Sequence, residues 1–226
     1  MIFGISDLHL SLTQDKPMDI FGENWKDHHL KIAEDWKSRV GDDDLVLIPG
    51  DVSWAMKFVD AYEDLEFIAD LPGKKVLIKG NHDLWWSSVS KLRELNLSGM
   101  YFIQNDSIEY EGISICGSRG WLIPEDGELS EDDEKIYKRE LLRLESSLNS
   151  AVCDRKIVLL HHPPMGKDGI ISKFIDIMEK YGVERCVYGH LHNRFDNRAF
   201  IDGKIGNIEF NLLSSDYLKF SLLKLL

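Results

Sequence analysis

Basic residues are in short supply: 27 Lys and Arg stand against 39 Asp and Glu, a formal charge of −12 over 226 residues. A deficit of that sign excludes broad, non-specific attachment to nucleic acid or to an anionic membrane surface, and no basic stripe tracks a phosphate backbone. It leaves room for a small anion held at a local positive site. Cysteine is scarce too. Cys116, Cys153 and Cys186 lie in or beside apolar runs and form no CxxC pair, which reads as reduced thiols in a cytoplasmic protein and excludes a disulfide framework. Long hydrophobic runs are missing: Met1-Ile2-Phe3-Gly4-Ile5 is too short for a signal h-region, and no stretch approaches a membrane span. Linkers rich in Pro, Gly or Ser, internal repeats and low-complexity tracts are also absent, so a single domain over residues 1–226 is expected.

What is present is one arrangement used repeatedly: a short apolar run that stops at a polar turn. Residues 2–6 end at Asp7-Leu8-His9, Leu45-Val46-Leu47-Ile48 at Pro49-Gly50-Asp51, and residues 75–79 at Gly80-Asn81-His82-Asp83. Residues 156–160 end at His161-His162-Pro163-Pro164, and residues 185–188 at Gly189-His190-Leu191-His192. The runs predict buried strands. Residues two apart in an extended segment share a face, so Asp7 with His9, and His190 with His192, can converge on one point.

Between these runs lie helical patterns over residues 25–40, 58–71, 87–95 and 170–181, plus a heavily charged one opened by Ser130 and Asp133 and running to about 148. In the first of them Trp25, His29, Ile32, Trp36 and Val40 form the apolar stripe, which leaves His28 exposed. The charged helix is expected on the surface. Shorter β pieces follow at 100–103, 107–110 and 113–116, and the end of the chain reads as antiparallel strands around an Asp202-Gly203 turn. Residues 10–24 read as an irregular loop, long enough to cover a site. Strand–helix repeats with polar residues at the strands' C-terminal ends are the layout by which open parallel sheets bind ligands.

The chemistry of those turns is specific. Asp7, His9, Asp51, Asn81, His161, His190 and His192 are seven nitrogen or oxygen donors just past strand ends, and six of the chain's eight histidines lie in these turns. One first-row metal ion takes about four to six ligands including water, so seven donors suit two divalent ions, Mn, Fe, Zn or Co, sharing a bridging carboxylate. His82 is then spare, an imidazole that titrates near neutrality.

Taken together, Asp7-x-His9, Gly50-Asp51, Gly80-Asn81-His82-Asp83, His161 and Gly189-His190-x-His192 resemble the motif series of the calcineurin-like metallophosphoesterase superfamily. The resemblance implies an α/β fold, an αββα four-layer sandwich of two mixed sheets flanked by helices, and a dinuclear metal centre. It implies Asp7, His9 and His192 on one metal, Asn81, His161 and His190 on the other, and Asp51 as the bridge. Spacing leaves open which of His161 and His162 is the ligand; the resemblance favours His161. His82 would be the catalytic histidine and Asp83 its orienting partner.

The activity implied is hydrolysis of a small phosphate mono- or diester by a metal-bound hydroxide. His82 would stabilise a phosphoryl oxygen or protonate the leaving alkoxide. The residues after Gly50-Asp51, Val-Ser-Trp-Ala-Met, lack the further acidic residue of some relatives, which leaves the substrate open. Arg119, in a Gly-bracketed turn, is a candidate contact for a phosphate oxygen or else a surface arginine. Trp54, Trp85, Trp86 and Trp121 lie near the motif turns and read chiefly as core. A non-enzymatic scaffold of the same fold would be expected to have lost His82 or several ligands, and none is missing. A nuclease or nucleotide phosphodiesterase is the alternative within the enzyme class.

Overall fold

Short runs of Val, Ile and Leu without alternating polar residues are buried on both faces, as parallel strands require. The computed structural model describes residues 1–95, 97–124, 129–166, 171–192 and 202–226. Its strands are β1 Ile2–Gly4, β2 Leu45–Ile48, β3 Lys74–Leu77, β4 Met100–Phe102, β5 Ile108–Tyr110 and β6 Ile113–Ser118. They continue with β7 Arg155–Leu160, β8 Arg185–Tyr188, β9 Gly203–Ile205, β10 Ile208–Leu212 and β11 Leu223–Lys224. The helices are α1 His28–Arg39, α2 Phe58–Ala69, α3 Val89–Arg93, α4 Glu131–Asn149 and α5 Lys173–Lys180. The chain divides into two compact units, Met1–Phe102 with Leu213–Leu226, and Ile103–Leu212.

The first unit holds a five-stranded sheet in the order β11-β1-β2-β3-β4, parallel from β1 to β4 with β11 antiparallel on the edge. Its core gathers Ile5, Val46, Ile48, Trp36, Leu65, Ile68 and Leu77, none more than 1% exposed. The second unit holds a six-stranded sheet in the order β5-β6-β7-β8-β10-β9. There β6, β7, β8 and β10 run parallel, and β5 and β9 close the edges antiparallel. The protein is therefore an α/β fold with two mixed sheets flanked by helices, as expected.

Four details differ from the sequence expectation. His28, not His29, joins the buried stripe of α1 with Ile32 and Trp36, one turn apart; its ring nitrogens face Trp25 O at 3.1 Å and Leu8 O at 2.8 Å. Burial holds its pKa below the ordinary imidazole value, against the pull of those carbonyls. The charged helix α4 is not merely a surface element, because it buries Tyr137, Glu140, Leu144, Ser147 and Leu148 along one face. The final hairpin turns between β9 and β10, past Gly206 (φ 57°), because Gly203 already pairs with Phe210. Finally, α5 begins at Lys173, capped by Ser172; Ile170, at the start of the expected helix, lies outside the described residues. No described helix is long and apolar enough to cross a membrane.

Lys75, inside β3, is 1% exposed and lays its ammonium on the last carbonyls of α2 and the turn after it, Ala69 O at 3.0 Å and Leu71 O. Burial pulls its pKa down from 10.5 to about 8. The unfolded chain thus binds more protons than the folded one between those values, and stability rises with pH there. Urea unfolding at pH 7, 8.5 and 10 should show that rise in the parent and its loss in Lys75→Met.

Candidate functional site

The site begins with three turns of the first unit whose backbones are fastened to one another. The Asp7 and His9 amides donate to Gly50 O and Asp51 O at 3.1 and 3.0 Å, and Leu10 N to Val52 O at 2.9 Å. The turn after β1 therefore continues alongside the turn after β2 beyond the end of both strands. A buried carboxylate fastens the third turn. Asp83 Oδ2 accepts N–H groups from Asp51 and Gly80 at 2.9 and 2.8 Å. Its Oδ1 accepts from Val52, Ser53 and the Trp85 indole at 2.9, 3.3 and 3.0 Å. Complete burial pushes the Asp83 carboxyl above its ordinary range, and the N–H donors pull it back.

This differs from the sequence expectation that Asp83 orients the ring of His82. The carboxylate is spent on the Asp51 turn instead, and the His82 backbone N–H donates to Asp51 Oδ1 at 2.8 Å. Gly80 makes the approach possible. A Cβ there would sit 2.1 Å from Asp51 Oδ1 and 2.2 Å from Asp51 N.

Asp7, His9 and Asp51 are buried, and all three hold left-handed backbone conformations, with φ of 57°, 45° and 51°. His9 Nε2 lies 3.9 Å from Asp51 Oδ2. Asn81 is half-buried and His82 exposed. Trp54 stacks on the His9 ring at 4.7 Å between centroids and 20° between planes, and meets the His82 ring at 4.4 Å. It is thus an aromatic wall for both imidazoles, whereas Trp85 and Trp86 are core. The loop over residues 10–24 covers Trp54: Met18 Sδ accepts its indole N–H at 3.0 Å, and Lys16 Nζ stands 4.9 Å above its ring. Buried Asp64 secures the loop by accepting from Leu12 N at 2.9 Å and from the Ser53 hydroxyl. Desolvation raises the Asp64 pKa, against both hydrogen bonds. Sequence reading missed this support because neither Ser53 nor Asp64 belongs to a motif.

In the second unit, His161, His162 and His190 bring ring nitrogens within 4.8 Å of one another. The His162 and His190 rings are 4.2 Å apart and those of His161 and His190 5.1 Å. Three imidazoles so close suit a divalent cation and would repel one another if protonated. His190 has φ 73°, and His192 is half-buried beyond it. The turn carrying Arg119 lies against this group, since Arg119 O accepts the N–H of both His161 and His162, at 3.1 and 3.0 Å.

Comparison with known proteins gives a consistent picture. The sequence model described as calcineurin-like phosphoesterase matches residues 1–194. The Gene 66 protein of Mycobacterium phage L5 is 37% identical over 78 residues, 34% of this chain and 37% of its own. Its counterpart in phage D29 is 38% identical over 85 residues, 34% of this chain and 38% of its own. The matched part is thus little more than a third of either phage protein. A protein of unknown function from Aquifex aeolicus shares the fold, with a TM-score of 0.55 over 99% of this chain and 94% of that one at 19% identity.

The hydrogen bonds of Asp83 predict a stability role separable from chemistry. Asp83→Ala strands several buried N–H donors and should cost upward of about 3 kcal/mol in urea unfolding, whereas His82→Ala, at an exposed ring, should leave stability within about 0.5 kcal/mol of the parent. Equal stabilities for the two variants would contradict this account of the turn.

Proposed function

Because this chain belongs to the calcineurin-like phosphoesterase family, we propose that it hydrolyses small phosphate esters with the help of two divalent transition-metal ions. The family is typically metal-dependent, and the chain carries candidate His and Asp ligands. The observation that carries the reading is the placement of the donors at the ends of parallel strands, with Asp7, His9, Asp51 and His190 all held in left-handed backbone conformations. Strain of that kind collects where a surrounding framework fixes functional side chains.

The ligands in this proposal are Asp7, His9, Asp51 and Asn81 of the first unit and His161, His190 and His192 of the second. Such ions polarise phosphoryl oxygens and lower the pKa of a bound water toward about 7; Mn, Fe, Zn and Co all suit the donor set. His82, exposed and backed by Trp54, delivers a proton to the leaving alkoxide oxygen or hydrogen-bonds a phosphoryl oxygen as charge grows on it. Asp83 is a positioning residue, acting through the Asp51 turn that fixes the His82 backbone. Arg119 contacts a non-bridging phosphate oxygen. The substrate is a small phosphorylated molecule, and a cytoplasmic location, suggested by three free cysteines, belongs to the same proposal.

The test is to load the protein separately with Mn, Fe, Zn and Co, verify uptake by elemental analysis, and assay mono- and bis-(p-nitrophenyl) phosphate. Hydrolysis with at least one metal is expected, and chelation should abolish it. His82→Ala should retain the parent's metal content while turnover falls at least about 100-fold. A parent that binds metal and hydrolyses neither ester would favour the scaffold reading.

A further inference from the structure

Helix α4 grips the Arg119 turn at two points, both inside the second unit. Near its start, Asp133 divides its carboxylate: Oδ2 accepts from the Ser130 hydroxyl at 2.6 Å and Oδ1 from the Trp121 indole N–H at 3.1 Å. Two turns on and on the same face, Glu140 is fully buried. Its Oε1 lies 2.8 Å from Arg143 Nη1, 3.5 Å from Arg139 Nε and 3.7 Å from Arg119 Nη2. The Arg119 guanidinium also stands 4.3 Å over the Trp121 ring. That ring meets His162 at 5.1 Å, and His162 meets His190 at 4.2 Å.

We propose that Glu140 and Trp121 are positioning residues that hold Arg119 for one anionic oxygen of the substrate. The proposal rests on the phosphoesterase reading and deepens it. Three observations support it. Arg119 is the least exposed of the three arginines, its side chain at 14% against 28% for Arg143 and 51% for Arg139. Its own carbonyl receives the N–H groups of His161 and His162, so its Cα moves with the imidazole cluster. The third is the chemistry of Glu140. A buried carboxylate is costly, and Oε2 has no hydrogen-bond partner among the described residues. A hydrophobic side chain of similar size would pack the same place more cheaply. What such a residue lacks is the charge that draws the Arg119 guanidinium to within 3.7 Å while the Trp121 ring lies 4.3 Å beneath it. A guanidinium held between a carboxylate and an aromatic ring presents its fork to a phosphate oxygen with little reorganisation. Glu140 gathers three arginines, so these four side chains carry +2, and +1 with the Asp133 carboxylate on Trp121, in a chain of −12.

A double-mutant cycle on the metal-loaded protein tests this, with steady-state kinetics on the better p-nitrophenyl ester. Arg119→Ala and Glu140→Gln should each raise KM about tenfold, the loss of one charge-assisted hydrogen bond, with kcat changed less. Glu140→Gln should add nothing further in the Arg119→Ala background. An equal Glu140→Gln effect in both backgrounds, or parent-like kinetics for Arg119→Ala, overturns the proposal. Should Glu140→Gln not fold, Trp121→Leu carries the same cycle, with Trp121→Phe expected to restore KM. If the parent hydrolyses neither ester, the phosphoesterase reading fails, and calorimetric titration of inorganic phosphate decides the clamp separately. About tenfold weaker phosphate binding by Arg119→Ala and by Glu140→Gln supports it, whereas equal binding by all three proteins, or none by the parent, overturns it.

Discussion

The first unit depends on one carboxylate that never reaches solvent. Asp83 accepts N–H groups from Asp51, Val52, Ser53, Gly80 and the Trp85 indole, and so joins the ends of β2 and β3 past their last paired residues, Ile48 and Leu77. Buried N–H groups at the ends of parallel strands need acceptors, and a buried carboxylate supplies two oxygens with several lone pairs. The joint is tight enough to exclude a methyl group at Gly80, which would meet the Asp51 carboxylate and its amide. Asp51 in turn is aimed by the His82 amide. The candidate metal ligand Asp51 and the candidate catalytic histidine are therefore placed by one hydrogen-bonded unit.

Around that joint, unfavourable backbone conformations persist in the first unit. Eight described non-glycine residues have positive φ, and four of them, Asp7, His9, Asp51 and His190, are expected ligands. Each left-handed residue costs on the order of 1–3 kcal/mol unless its side chain offsets the strain, and Asp and His are among the side chains that tolerate it. The conformation turns a side chain sharply away from the line of the strand that precedes it. Backbone hydrogen bonds from Asp7, His9 and Leu10 to Gly50, Asp51 and Val52 hold two such reversals side by side.

Much of this was readable in the sequence, because both the strands and their terminal donors are written locally. Leu45–Ile48 and Arg185–Tyr188 fall where the apolar runs place them, and Ser130 caps α4 as the Ser130-Asp133 pair implies. What was not readable depends on partners distant in the chain. The acceptor role of Asp83 lies in backbone amides some thirty positions away, and nothing in Gly80-Asn81-His82-Asp83 distinguishes it from an orienting partner of His82. His28 and His29 are equally good on helical periodicity. Only the nearness of the Leu8 carbonyl decides that His28 turns inward. Glu140 is hidden by its context, one more acid in a charged helix, until the arginine of another turn is brought to it.

Net charge was informative about encounter and nearly silent about the site. The acidic surplus is distributed unevenly: Glu131, Asp132, Asp133 and Glu134 crowd the first turn of α4, where the unsatisfied N–H groups of a helix start favour negative charge. The same helix buries Glu140 against three arginines farther along. One element thus contributes acids where they stabilise its own end and collects guanidinium groups around a carboxylate inside the unit. A chain total of −12 averages over both. For a small anion, the charges that matter are those within about a Debye length of the place it binds, roughly 8 Å at physiological ionic strength, and beside the Arg119 turn those include three arginines gathered on one carboxylate.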